Sequence, residues 1–280
     1  MPENKTFPRD FKWGTATSSY QIEGAPTAGG KGPSVWDSFS HIEGKIKNGD
    51  TGDTACDHYH LWRDDIALLK KLGVNAYRFS ISWPRIFPTG KEYEPNQIGL
   101  DFYSRLVDTL LEKKITPFVT LNHWDIPQGL ENIGGWPERD IVHEFVKYSY
   151  HVSKHLGDRV RNWITHNEPW CVSYLGYIEG HKPPGLINKW SKSLATAHHL
   201  LLSHGMAIPE IRNNSKQSEI GITLNLNTAI PASGSTYDED ACKFFDGQFN
   251  RLYLNPLYNN EYPDDVFEYL KTKSFISESD

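Results

Sequence analysis

The sequence predicts an α/β protein folded as a closed (β/α)8 barrel of the TIM type, of which this chain supplies about the first five strands. Three observations lead there. Five short stretches rich in β-branched and aromatic residues recur along the chain, segments of helical periodicity separate the later ones, and unusual polar residues fall at the ends of the strands. Regular alternation of strand and helix implies a parallel sheet. A doubly wound sheet satisfies that alternation too, but it would spread its polar strand ends along a crevice, and no GxGxxG turn follows the first stretch. A barrel gathers all its strand ends around one mouth. Gln21, His123-Trp124, Asn167-Glu168 and Asn225 each stand at or just after the C-terminal end of a different strand, and the barrel is preferred for that reason.

In chain order the stretches are FKWGTAT (11–17), NAYRFSIS (75–82), ITPFVTLN (115–122), NWITHN (162–167) and EIGITLNL (219–226), each read as a buried strand. Residues 23–62, rich in glycine and proline, read as a loop over the mouth that supplies no strand. In QIGLDFYSRLVDTLLEKK, Leu100, Tyr103, Leu106, Val107, Leu110 and Leu111 line one helical face. ERDIVHEFVKYSYHVSKHLG repeats the pattern with Ile141, Phe145, Tyr148 and Val152, and Gly157 is placed to cap its C-terminus. KSLATAHHLLLSHGMAIPEIRNN is a third helix, in which Pro209 is expected to cause a kink or a break. Beyond EIGITLNL the chain reads as polar and turn-rich as far as FISESD. Five strands do not close a barrel of eight. Residues 1–280 therefore read as a single domain that is incomplete at its C-terminal side, with the remainder expected in the complete protein.

Composition narrows the partners. The 280 residues are 38% hydrophobic and 23% charged, as in an ordinary globular protein. Net charge is −6 from 29 basic and 35 acidic residues, and no basic stripe suits a nucleic acid. No apolar run approaches membrane-spanning length, and MPENKTFPRDF carries no apolar signal core, so a cytoplasmic location is expected. Cys56, Cys171 and Cys242 show no metal spacing and read as reduced thiols; no metal or cofactor is implied. The 13% aromatic content suits neutral ligands with apolar faces, sugars among them, although most aromatic side chains serve cores.

The sharpest feature is WITHNEPW, Trp163 to Trp170. An apolar strand ends in Asn167-Glu168, and Pro169 stops the ladder from continuing. Cleavage of a glycosidic bond needs a carboxylic acid aimed at the leaving oxygen, and a strand end holds one more firmly than a loop does. An isolated Asn-Glu-Pro would more often mean a structural salt bridge. Here the neighbouring strand ends supply matching partners. His123 can donate to a sugar hydroxyl, and the Trp124 indole can stack on a pyranose, against the commoner fate of a lone histidine bonded to a backbone carbonyl. The Gln21 amide can bridge two hydroxyls, against a plain surface role. Arg78, inside the second strand, would carry a permanent charge into the barrel and call for an acidic partner.

The segments FKWGTATSSYQIEG, GKGPSVWDSF, YRFSISWPRIFPTG, PFVTLNHWDIPQGL, GDRVRNWITHNEPW, GYIEGHKPPG and HHLLLSHG together resemble glycoside hydrolase family 1, from about residue 7 to residue 263. Within the family the similarity is to bacterial β-glucosidases. Pro169 argues against the 6-phospho-β-glycosidases, which usually carry another residue there. The resemblance implies retaining hydrolysis that releases a terminal β-D-glucose, galactose or fucose from β-glucosides and cello-oligosaccharides. By the same resemblance Glu168 matches the general acid/base. Gln21, His123, Trp124 and Asn167 match residues that hold the sugar, Arg78 matches an arginine that pairs with the nucleophile, and Asn225 matches a residue towards the aglycone. One departure stands out: the family's I/V-T-E-N-G nucleophile motif is absent from these residues, as is its W…E-W sugar-gripping loop. The expected partner is thus a small β-glycoside, with a homo-oligomer left open and this chain inactive by itself. A non-catalytic sugar-binding relative is the alternative. An unrelated barrel such as an isomerase accounts for neither NEPW nor HWD.

Overall fold

The computed structural model describes residues 6–275; the outermost residues of MPENKTFPRDF and FISESD lie outside them. The chain opens with β1 (Gly14–Ala16), α1 (Ser19–Ile22), α2 (Val35–Ser40) and α3 (His58–Leu72). It continues through β2 (Ala76–Ser80), α4 (Trp83–Ile86), α5 (Gln97–Glu112), β3 (Thr116–Asn122), α6 (Gln128–Glu131) and α7 (Asp140–Leu156). Then come β4 (Asn162–Asn167), α8 (Pro169–Tyr177), α9 (Trp190–Asn214), β5 (Glu219–Thr223), α10 (Thr236–Asp246), α11 (Leu252–Asn259) and α12 (Asp264–Thr272). The five strands form one parallel sheet in the order β1-β2-β3-β4-β5. Strictly sequential order is what a barrel requires, whereas a doubly wound sheet reverses direction at a switch point.

Alternate residues of each strand do different work. Tyr77 and Phe79 face the helices and join the main core, where Phe79 stacks on Tyr103 of α5 at 6.4 Å between centroids. Arg78 and Ser80, on the other face, make hydrogen bonds at the strand ends. β1 and β5 are more exposed than the buried strands the sequence suggested, because both lie at edges of an open sheet.

Several expectations need correction. Leu111 was placed on the buried face of α5 but is 39% exposed, at the margin of the stripe. Pro209 does not interrupt α9, which is continuous from Trp190 to Asn214. Pro209 and Gly205, whose carbonyl loses its intrahelical donor, both lie on the exposed side, open to water, and glycine minimises crowding there. Two helices went unforeseen within and after the 23–62 segment, α2 and α3. The polar stretch beyond β5 folds into α10, a π-helical run over Gly247–Arg251, α11 and α12. Ser235, whose side chain accepts from the Asp238 N–H, was the available start signal.

Gly157 follows α7 as expected, but with φ −70° it is not a left-handed cap. Its glycine answers to proximity: an added Cβ would stand 2.4 Å from the Ser153 carbonyl oxygen and 2.7 Å from that of Asn214. We expect Gly157→Ala to destabilise the fold by roughly 1–3 kcal/mol through this overpacking, read as a lowered urea midpoint. An unchanged midpoint would show that the ends of α7 and α9 can move apart freely.

Candidate active site

The end of β4 is built around a register irregularity. Ile164 pairs with Gly221 and Asn167 with Thr223, so β4 spends one residue more than β5 over the same span. In consequence successive residues reach the same helix: Thr165 Oγ1 lies 2.8 Å from His204 Nδ1 and His166 Nε2 lies 2.9 Å from Ser203 Oγ, both on α9. A regular strand would send them to opposite faces. Asn167 then turns the other way, and its Oδ1 accepts from Arg78 at 2.5 Å. The Trp124 indole donates to the Asn167 carbonyl at 2.7 Å. Asn167 thereby ties together the ends of β2, β3 and β4.

Glu168 follows with φ 47° and ψ 69°, a left-handed conformation rare outside glycine. Its N–H donates to the Thr223 carbonyl at 2.8 Å, the last bond of the β4–β5 ladder. Pro169 occupies the first position of α8, where a missing N–H costs nothing. Among the described residues Glu168 makes no ion pair within 4.0 Å. Its carboxyl has one hydrogen-bond partner there, the Cys171 thiol at 3.4 Å from Oε2.

Arg78 has neutral hydrogen-bond partners among the described residues. It donates from Nε to Thr120 Oγ1 at 2.9 Å and to Asn167, and it meets no carboxylate within 4.0 Å among the described residues. It is half-buried, so solvent and neutral acceptors carry its charge in place of the acidic partner a fully buried arginine needs. Burial pulls its pKa down, and the nearby Glu168 charge opposes that.

A cavity of about 360 Å³ adjoins this cluster. Gln21 from α1 and His123 and Trp124 from the β3 end line it, and Thr51, Gly52 and Ala55 from the 23–62 segment roof it. That segment therefore covers the mouth. It is sewn down by the buried Glu23–Arg85 pair (2.9 Å) and by Ser34 bridging to Pro127. His123 is pushed down to about 3 by burial and by the Arg78 and Lys182 charges, so it is neutral above that pH. Its Nδ1 is buried without a partner among the described residues, unlike a histidine serving a backbone carbonyl. Trp124 has one face covered: Lys182 Nζ lies 3.4 Å from its ring centroid. Asn225 sits two residues past β5, with Nδ2 3.7 Å from Cys171 Sγ, and does not line the cavity. The structure thus brings Arg78 and Trp124 onto Asn167, the residue before Glu168, with Gln21 and His123 in the adjoining cavity. The sequence reading passed over Lys182, for which no spacing gives a signal. It reads Cys171 only as a reduced thiol, although the NEPWC run places it one helical turn beyond Glu168.

The family model described as Glycosyl hydrolase family 1 matches residues 3–280. The chain belongs to glycosyl hydrolase family 1. It is 50% identical to the 1,4-beta-D-glucan glucohydrolase of Thermotoga neapolitana over 95% of this chain and 63% of that protein. It is 47% identical to the bifunctional beta-D-glucosidase/beta-D-fucosidase of Bifidobacterium breve, over 95% of this chain and 57% of that protein. The structure of the Thermotoga maritima beta-glucosidase in complex with deoxynojirimycin is similar at TM-score 0.92 and 48% identity, over 98% of this chain and 61% of that one. The chain thus spans about three-fifths of the length of these relatives, and its sheet is the corresponding part of the family 1 (β/α)8 barrel. Among the described residues no helix is long and apolar enough to cross a membrane.

A buried knot joins the strand ends that carry the cavity residues. The Ser19 N–H donates to Ser80 Oγ at 2.7 Å, and the Ser19 hydroxyl donates to Asp125 Oδ2 at 2.5 Å, tying the segments that carry Gln21 and His123 to β2. Burial pushes the Asp125 carboxyl up to about 7; the Ser19 bond opposes this and Glu23 adds to it. An unfolded aspartate releases its proton near pH ~4. Between about pH 4 and pH 7 the folded chain therefore holds a proton that the unfolded chain has lost, and stability falls as pH rises through that window. Asp125→Asn stays neutral throughout. We expect unfolding free energy to shift in favour of Asp125→Asn by roughly 1–4 kcal/mol between pH 4 and pH 8, beyond any constant offset, in urea titrations. A pH-independent difference would mean that Asp125 is ionised when folded.

Proposed function

We propose that this chain is the larger part of a retaining β-glycosidase that releases a terminal β-D-glucose from β-glucosides and cello-oligosaccharides. The observation that carries it is Glu168: a carboxyl borne just past a strand end, without a counter-ion among the described residues, and next to Asn167, which is bonded to Arg78 and to the Trp124 of a cavity that Gln21 and a neutral His123 also line. The names of the relatives agree, glucan glucohydrolase and beta-glucosidase/beta-fucosidase among them.

In this reading a second carboxylate attacks the anomeric carbon while Glu168 gives its proton to the departing glycosidic oxygen, so that the C–O bond breaks as a glycosyl ester forms. Glu168 then takes a proton from water as that water displaces the enzyme carboxylate, and configuration is retained. The two carboxyls must stand ~5–5.5 Å apart. The attacking group is expected in an I/V-T-E-N-G motif on the seventh strand, and Arg78, which meets no carboxylate among the described residues, is its natural partner. Gln21 and the neutral His123 hold sugar hydroxyls, and Asn167 faces the 2-hydroxyl. Their joint presence, with Glu168, favours an enzyme over a non-catalytic sugar-binding relative.

Two measurements test this. In the complete enzyme Glu168→Gln is expected to lower kcat/KM on cellobiose by ~10²–10⁴-fold while leaving dinitrophenyl β-glucoside within a few-fold, because only the poor leaving group needs the proton. Equal losses on both would remove Glu168 from the acid role. Residues 1–280 purified alone are expected to give no enzymatic turnover of p-nitrophenyl β-glucoside until a segment bearing the second carboxylate is added. Robust turnover by the lone polypeptide would mean that a nucleophile lies within these residues.

A further inference from the structure

The first turn of α8 folds a cysteine back on the residue that begins it. Cys171 N–H donates to the Glu168 carbonyl at 2.9 Å, which sets the turn, and the thiol then stands 3.4 Å from Glu168 Oε2. On its other side Asn225 Nδ2 donates to Cys171 Sγ at 3.7 Å. Cys171 is buried, at 7% exposure. No other hydrogen bond restrains the Glu168 carboxyl among the described residues, although its backbone is fixed in a left-handed conformation.

We propose that Asn225 and Cys171 form a two-link chain that positions the Glu168 carboxyl for proton transfer, the amide holding the thiol and the thiol holding Oε2. This rests on Glu168 being the acid/base. The thiol is a suitable link because it donates and accepts at once. Burial pushes it up to about 12, so it keeps its proton and remains a donor over the working pH range. With Oε2 occupied, Oε1 is the oxygen that delivers the proton to the leaving group. Asn225 then acts through Cys171 from the end of β5, rather than by touching the aglycone. Both are positioning residues, and the effect they produce is on the step in which Glu168 gives up its proton.

The test compares Cys171→Ala, Cys171→Ser, Asn225→Ala and the Cys171→Ala/Asn225→Ala double variant in the complete enzyme, each on cellobiose and on dinitrophenyl β-glucoside. Loss of one weak hydrogen bond that orients the carboxyl predicts a roughly tenfold fall in kcat/KM for Cys171→Ala on cellobiose. On the activated glycoside it should stay within about twofold, since no proton is needed there. Cys171→Ser, which keeps a donor, should recover most of the loss. Asn225→Ala should lower cellobiose turnover by a few-fold, and should cost nothing further in the Cys171→Ala background. Equal losses on both substrates, no recovery by serine, or additive losses in the double variant would each overturn the chain. Glu168→Gln run alongside separates the two readings: a leaving-group split there with none in Cys171→Ala overturns the positioning alone. If Cys171→Ala does not fold, the serine and Asn225 variants still decide.

Discussion

Everything at this site depends on one backbone constraint: β4 must stay in the ladder up to its last residue and yet turn Glu168 out of it. The strand manages both by holding Glu168 in a left-handed conformation that costs about 1–3 kcal/mol for a residue with a Cβ. What keeps it there is the bond from its own N–H to Thr223, together with the bonds that Arg78 and Trp124 make to Asn167 just before it. Trp124 is itself left-handed, at φ 76°. Two strained residues on adjacent strand ends are thus joined through Asn167, and neither can relax without breaking the other's anchor.

The charges follow from that geometry. Arg78 and Lys182 both sense Glu168, and both depress His123, which stays a neutral imidazole. In the proposed reaction a second carboxylate would enter the field of these two cations, where opposite charge favours its ionised form. The Lys182 ammonium, lying on the Trp124 ring, is held by an aromatic face and not by an acid.

Below the mouth, the platform is fastened by buried polar groups. Glu23 is held by Arg85 and by the Tyr103 hydroxyl, which moors the covering segment to α4 and α5. Asp125 and Ser19 moor the β1 and β3 ends to β2. Such groups are costly to bury and tolerate few rearrangements, and that rigidity keeps Gln21 and His123 in fixed relation to Asn167.

The strands, their parallel order, the helical faces through Leu110 and Val152, and the residues that stand at strand ends are legible in the amino-acid order, because these follow from local periodicity and from where strands stop. The WITHNEPW run also marks Glu168 as a carboxyl at a strand end. The partners come from contacts between elements far apart in the chain. Arg78 meets Asn167, the Trp124 face is taken by Lys182, and Asn225 reaches Cys171, since each contact joins residues brought together from different strands or loops. The same holds for Pro209, harmless on an exposed helix face, and for Gly157, required by a neighbouring carbonyl 57 positions along the chain and not by its own φ. Periodicity records which way a side chain points along its own element; what it meets there depends on packing between elements distant in sequence, and that is where the chemistry of this site was settled.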